Sequence, residues 1–222
     1  MSAPTLLLVL AKAPQAGQVK TRLCPPATPV QAARIAAASL LDTLAAVSAV
    51  PDTQPILALS GELWEAEEAI ELTRVLQDIP VIRQRGTTLG QRIAAAHADA
   101  AERFPGSAVL QIGMDTPQIG PCLLDDCCRA LASPGTDAVL GRATDGGWWA
   151  LGLQDPLAAA SIASVPTSRD NTGELTAQAL RAHGLRVAEL PELSDVDTAA
   201  DAWEVAESLP GSRFAAAVEE LR

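Results

Sequence analysis

Apolar residues fall along this chain in two alternating rhythms. Short continuous runs at 5–11, 56–60, 81–84, 108–112, 138–141, 148–153 and 185–190 read as strands, because a strand covered on both faces loses its polar alternation. Between them lie segments of helical period. Val30, Ala33, Ala37, Leu40, Leu41, Leu44 and Val47 share one helical face, and residues 62–72, 88–103, 123–131, 173–182, 198–208 and 212–221 read as further helices. Pro51 and Pro55 close the first helix, and Pro191 ends the last strand. Strand and helix in turn are the pattern of βα units around a mainly parallel sheet, so one α/β domain over residues 1–222 is expected, without repeats or linkers.

Composition narrows the function classes. The chain has 222 residues, 48% of them hydrophobic, enough to bury a real core. With 27 acidic residues against 16 basic ones the net charge is −11, and such a surface repels nucleic acid and anionic lipid; no nucleic-acid partner is expected. Cys24, Cys122, Cys127 and Cys128 form no CxxC pair or spaced framework, which fits a reducing cytoplasm better than a disulfide or zinc scaffold. The stretch from Met1 to Leu10 has no basic n-region, and no run approaches the roughly 18 apolar residues of a membrane span. A soluble, cytoplasmic protein is expected, with a homodimer left open.

Ligands of open α/β sheets bind beyond the carboxyl ends of the strands, and three such places stand out. After the first strand comes AKAPQAGQVKTRL, which holds Lys12, Lys20 and Arg22 in an otherwise acidic chain; Lys12 and Lys20 are its only lysines. Ammonium groups near backbone N–H groups suit nucleotide phosphates, although a solvated basic loop is the plain alternative and the Walker A pattern is missing. After the strand at 108–112 comes Gly113-Met114-Asp115-Thr116-Pro117. A carboxylate there suits a hard cation such as Mg²⁺ or Mn²⁺ bridging a diphosphate, and the same residues also make an ordinary turn. The third is Asp145-Gly146-Gly147-Trp148-Trp149. Two glycines allow close approach to the backbone, and of two adjacent strand tryptophans only one can face a pocket. Later, Ser194-Asp195-Val196-Asp197-Thr198 precedes a helix, with Thr198 a fair N-cap and Asp201 at the N3 position where a capping box prefers Glu or Gln. Capping leaves Asp197 unexplained.

The segments AKAPQAGQVKTRL, Leu89-Gly90-Gln91-Arg92, GMDTP, DGGWWALGL and DVDT, in this order, resemble the bacterial family of small glycosyltransferases known as DUF2064. That family is similar to the guanylyltransferase of coenzyme F420 biosynthesis and to molybdenum-cofactor nucleotidyltransferases. The resemblance implies the GT-A, nucleotide-diphospho-sugar transferase fold, a three-layer α/β/α domain with a mainly parallel mixed sheet. It places Ala11, Lys12, Pro14, Gly17, Lys20, Thr21 and Arg22 in a loop that contacts nucleotide phosphates, with Gly90 and Arg92 in a second nucleotide-side motif. Asp115 and Asp197 match metal ligands for Mg²⁺ or Mn²⁺, and Lys20, Asp115 and Asp145 are the implied catalytic residues. Asp145, Gly146, Gly147 and Trp148 match the sugar or acceptor side. Two departures, Trp148 and Trp149 in place of the usual Tyr and a 166–172 segment without the usual Trp-Ser pair, fall on that same side.

The implied activity is metal-dependent transfer from a nucleoside diphosphate sugar to a small-molecule acceptor. The alternative is nucleotidyl transfer from an NTP to a phosphorylated small molecule, with release of pyrophosphate. A non-catalytic nucleotide sensor is a third reading. A Ser/His/Asp hydrolase is disfavoured, since His97 falls mid-helix and His183 sits at a helix C-terminus beside Gly184. Cys127, Cys128, Trp64 and Trp203 read as packing residues.

Overall fold

A computed structural model describes residues 3–221. Met1 and Ser2, at the start of the stretch read for a targeting signal, and Arg222, at the end of the expected 1–222 domain, lie outside the described residues. Seven strands, β1 (Thr5–Lys12), β2 (Thr53–Ser60), β3 (Val81–Arg83), β4 (Val109–Gly113), β5 (Ala138–Ala143), β6 (Trp148–Leu153) and β7 (Val187–Leu193), form one sheet in the order β3-β2-β1-β4-β6-β5-β7. Only β6 runs antiparallel to its neighbours. The helices are α1 (Pro29–Ser48), α2 (Ala69–Val75), α3 (Leu89–Arg103), α4 (Pro121–Leu131), α5 (Thr172–Ala182), α6 (Ala199–Ser208) and α7 (Arg213–Glu219).

The alternation of side chains along each strand sorts these helices into two layers. Leu7, Val9, Leu57, Leu110 and Ile112 point to the face covered by α1 and α4. Leu6, Leu8, Ala58 and Val109 point to the opposite face against Ala96 and Ala100 of α3, while Leu140 and Leu151 meet Ala177 and Leu180 of α5. The result is the mainly parallel α/β/α sandwich with a mixed sheet that the sequence leads one to expect. A further cluster, built on Ile35, Val196, Val205 and the fully buried Phe214, fastens α6 and α7 to α1.

Several boundaries differ from the sequence reading, each for a local reason. Residues 62–72 do not make one helix: a 3₁₀ turn at Leu63–Glu65 is separated from α2 by Glu68, whose φ of 55° breaks the helical path. β2 begins before Pro55, which pairs only with Leu7 of β1 because β3 reaches only Leu57 to Leu59; its missing N–H therefore breaks no ladder. β7 runs through Pro191 because it is an edge strand bonded only to β5. A 3₁₀ segment at Pro156–Ile162, capped by Asp155, was not expected. Helix α1 is long and apolar enough by composition to cross a membrane, contrary to the sequence expectation, and is 67% buried inside the fold. Sandwiching between the sheet and α7 accounts for that apolarity.

Candidate active site

The carboxyl ends of β1 and β4 and the amino end of the antiparallel β6 open onto a cleft of about 780 Å³. Three loops clasp one another there. The backbone N–H of Lys12, at the end of β1, donates to the Met114 sulfur at 3.3 Å, and the Ser39 hydroxyl of α1 donates to the Met114 carbonyl at 2.5 Å. The loop after β7 leaves the far edge of the sheet and returns to its centre, where the Val196 N–H donates to the Asp115 carbonyl at 3.1 Å. Asp195 and Asp197 are thereby carried to the end of β4. The Asp201 carboxylate fixes the return, accepting from the N–H groups of Asp197 and Thr198 while the Thr198 hydroxyl accepts from the Asp201 N–H. Both bonds of a capping box are present, so an aspartate serves where a glutamate is usual.

Lys20 is the keystone of this arrangement. Its backbone is left-handed, φ 48°, a conformation that costs a non-glycine residue about 1–3 kcal/mol and persists where surroundings enforce it. The side chain is 7% exposed, with Nζ 2.7 Å from Oδ1 of Asp115 and donating also to the Val196 carbonyl. Beside it, Arg22 meets Asp197 at 2.9 Å. Three other cations of the wall, Lys12, Arg92 and Arg169, make no ion pair among the described residues, whereas most of the chain's arginines do. Lys12 and Arg92 hold only backbone or amide oxygens, those of Gln18 and Gly86.

Carboxylates crowd the same place. Burial, then the charges of Asp115 and Asp145, push the half-buried Asp195 up to about 7, and Lys20 offsets this only in part. Among the described residues no group of three or more His, Cys, Asp or Glu side chains could hold a metal ion. Magnesium, however, is commonly held by one or two carboxylates together with substrate phosphates, and the oxygen-only donors Asp115 and Asp197 fit that demand.

On the other side of the cleft, Oδ1 of Asp145 accepts from the Gly147 N–H at 2.7 Å, closing a tight turn. Gly146, at φ +86°, packs so closely on the Asp170 carbonyl that a Cβ would overlap it, and the Gly173 N–H donates to the Gly146 carbonyl at 2.8 Å. The 166–172 segment is thus pinned to the turn, with Arg169 and Asp170 in the cleft wall. The alternation of side chains along β6 parts the two tryptophans, beside a bulge where β5 passes from Gly141 to Arg142. Trp149 is core, bonded through its indole N–H to the Pro191 carbonyl at 2.9 Å, and the half-buried Trp148 joins the opposite cluster.

Of the residues singled out in the sequence, Ala11, Lys12, Lys20, Thr21, Arg22, Arg92, Asp115, Asp145, Gly147, Trp148 and Asp197 line this cleft. Pro14, Gly17, Gly90 and Gly146 stand outside its wall. Pro14 is buried, with its carbonyl bonded to Glu67, and Gly17 makes an exposed turn at φ +75°. Gly90 lets α3 approach the Pro156–Ile162 segment: a Cβ would come within 2.8 Å of the Ile162 and Ala163 carbonyls. Sequence reasoning gave no role to Asp195, Arg169, Gln84 or Gln111, all of which line the cleft. Only Asp195 carried a signal, as the neighbour of Asp197 in an acidic triplet.

Comparison with solved structures places the fold. A protein from Desulfovibrio desulfuricans G20, provisionally described as a nucleotide-diphospho-sugar transferase, superposes with a TM-score of 0.85 at 24% identity, over 99% of this chain and 95% of its own. CMP:2-keto-3-deoxy-manno-octonic acid synthetase, solved with CTP, matches at 0.60 and 11%, over 98% and 100%. A cytidylyltransferase from Leptospira borgpetersenii matches at 0.58 and 13%, over 100% and 94%. No curated protein matches the sequence. The model of the DUF2064 family, uncharacterised proteins conserved in bacteria, matches residues 43–169, more than half of the chain, which therefore belongs to that family.

Proposed function

We propose that this protein is a metal-dependent glycosyltransferase that takes a nucleoside diphosphate sugar and a small-molecule acceptor. The observation that carries this reading is the Lys20–Asp115 and Arg22–Asp197 pairing at the carboxyl end of β4, which sets two cations against two oxygen ligands where a diphosphate would lie. Asp115 and Asp197 would hold Mg²⁺ or Mn²⁺, which when bound neutralises charge on the departing diphosphate. Lys20 and Arg22 donate to the same phosphate oxygens, fixed in advance by the loops that clasp them. The acceptor hydroxyl bonds to the anomeric carbon as the carbon–oxygen bond to the diphosphate breaks, and Asp145 takes the hydroxyl proton.

Arg169 favours a second reading. It stands in the wall beside the Asp145 turn with no ion pair among the described residues, where it suits an anionic acceptor. In that case an NTP is joined to a phosphorylated small molecule and pyrophosphate leaves. No general base is then needed, because a phosphate is already a nucleophile.

A thermal-shift panel of NTPs, NDPs and NDP-sugars, each with and without Mg²⁺ or Mn²⁺, separates these readings. A ligand at 100 times its Kd adds about 2.7 kcal/mol, or roughly 5–11 °C in a chain of this size. A metal-dependent shift with an NDP-sugar, followed by NDP release on adding acceptors, supports glycosyl transfer. Preference for one NTP, with pyrophosphate release, supports the second reading. A panel without any shift overturns both.

A further inference from the structure

The chemistry proposed above leaves unused a polar pair on the floor of the same cleft. Gln111 lies in the middle of β4, in register with Leu8 on one side and Leu151 on the other. It is 2% exposed, and its Oε1 lies 3.1 Å from Nε2 of His97, which is fully buried in α3. Burial lowers the His97 pKa to about 4, so the ring is neutral and carries one N–H. With that proton on Nε2, the imidazole donates to Gln111 Oε1 and Nδ1 is left as a bare acceptor without a partner. The other tautomer would bury an orphan N–H and set two acceptors against each other.

With its carbonyl engaged, the carboxamide of Gln111 keeps only its NH₂. That group has no hydrogen-bond partner among the described residues, and the side chain lines the cleft with Leu10, Ile93 and Trp148. Two amide donors held on the cleft floor among apolar side chains are free to meet a ligand acceptor. An indole and two aliphatic side chains make a bed for a neutral ring, and none of the cleft cations bonds to Gln111.

We propose that Gln111 is a specificity-determining residue that donates to an acceptor atom of a neutral ring, the base or the sugar of the nucleotide ligand, and that His97 is the positioning residue that aims it. The inference rests on the reading of the cleft as a nucleotide site. His97 fixes which end of the carboxamide meets the ligand: without it the amide can turn and offer its carbonyl.

The test uses the full chain and isothermal titration with UDP, GDP, CTP, UDP-glucose and GDP-mannose in Mg²⁺, with Mg²⁺-pyrophosphate as the probe of the phosphate side. In Gln111→Met, and in the double variant His97→Leu/Gln111→Leu that removes both polar groups, the Kd of the tightest ligand rises about tenfold or more, while that of pyrophosphate is unchanged. His97→Leu weakens binding by a smaller factor. His97→Gln, whose amide nitrogen reaches much as Nε2 does, restores affinity, which a merely structural role would not require. Loss with bare nucleotides identifies the ring as the base; loss confined to the sugar-bearing ligands identifies it as the sugar. Variants that fold and bind every ligand as the wild type does overturn the inference. A wild-type protein that binds none of the ligands overturns the nucleotide reading itself and this inference with it.

Discussion

The Lys20 ammonium, nearly closed off from solvent, is held 2.7 Å from a carboxylate of Asp115 that is 49% exposed. The two groups reach the same point from the loops after β1 and β4, so the charge balance of the cleft depends on both loops being in place. Removing the carboxylate in Asp115→Ala leaves a buried ammonium with only the Val196 carbonyl as partner. Because the aspartate side is open to water, the stability loss is about 1–2 kcal/mol, less than for a fully buried pair. Transfer falls by 10² to 10³ or more. Denaturant melts and initial rates check both, and substantial turnover in Asp115→Ala would sink the metal reading.

Asp145 distinguishes the two chemistries. In Asp145→Asn the Oδ1 acceptor for the Gly147 N–H is kept, so the turn survives. Glycosyl transfer should drop by roughly 10² to 10⁴, whereas nucleotidyl transfer to a phosphate should change less than about tenfold. Product assays with each donor class read the difference.

His97 makes stability depend on pH. Its pKa is about 4 in the fold against 6.5 for a free imidazole. Between those values the unfolded chain binds a proton that the folded chain refuses, so stability falls as pH drops through this interval and loses about 3 kcal/mol by pH 4. Urea unfolding at pH 7, 5.5 and 4 on the wild type and on His97→Gln checks this; the variant should show a flatter profile by that amount.

On the proposed reading, Gly146→Ala should detach the acceptor side. The residue sits at φ +86° with the Asp170 carbonyl where a Cβ would be. The substitution costs about 1–3 kcal/mol and displaces the 166–172 segment, so Arg169 leaves the wall. Affinity for the acceptor should fall while the metal-nucleotide affinity stays within about threefold. Equal weakening of both would show that the segment does not serve one side alone.

Much of the architecture could be read in advance, because it follows from local pattern. The bounds of β6, the cap Thr198, and the sorting of Trp148 from Trp149 all rest on periodicity or on neighbouring side chains. The break at Glu68 was hidden because nothing in that apolar period marks a left-handed residue. Pro55 and Pro191 misled because their effect depends on which strand edge lacks a partner, a property of the assembled sheet. In the site, Lys20, Asp115 and Asp197 stood out by charge at strand ends. Asp195 and Gln111 did not, since their placement depends on the return of the loop after β7 and on α3 lying against β4.

The paired charges of the cleft also bear on what can enter it. A lone anion that draws Lys20 and Arg22 away leaves two carboxylates facing each other, and a lone cation that takes Asp115 and Asp197 strands an ammonium and a guanidinium. Either visitor alone must break two ion pairs that already satisfy one another. A chelate carrying both signs at once exchanges each pair for a better one. On the proposed reading the resting site is therefore its own competitive inhibitor, selecting against free phosphate and free metal, and the affinities for nucleotide and cation must rise together by one shared factor.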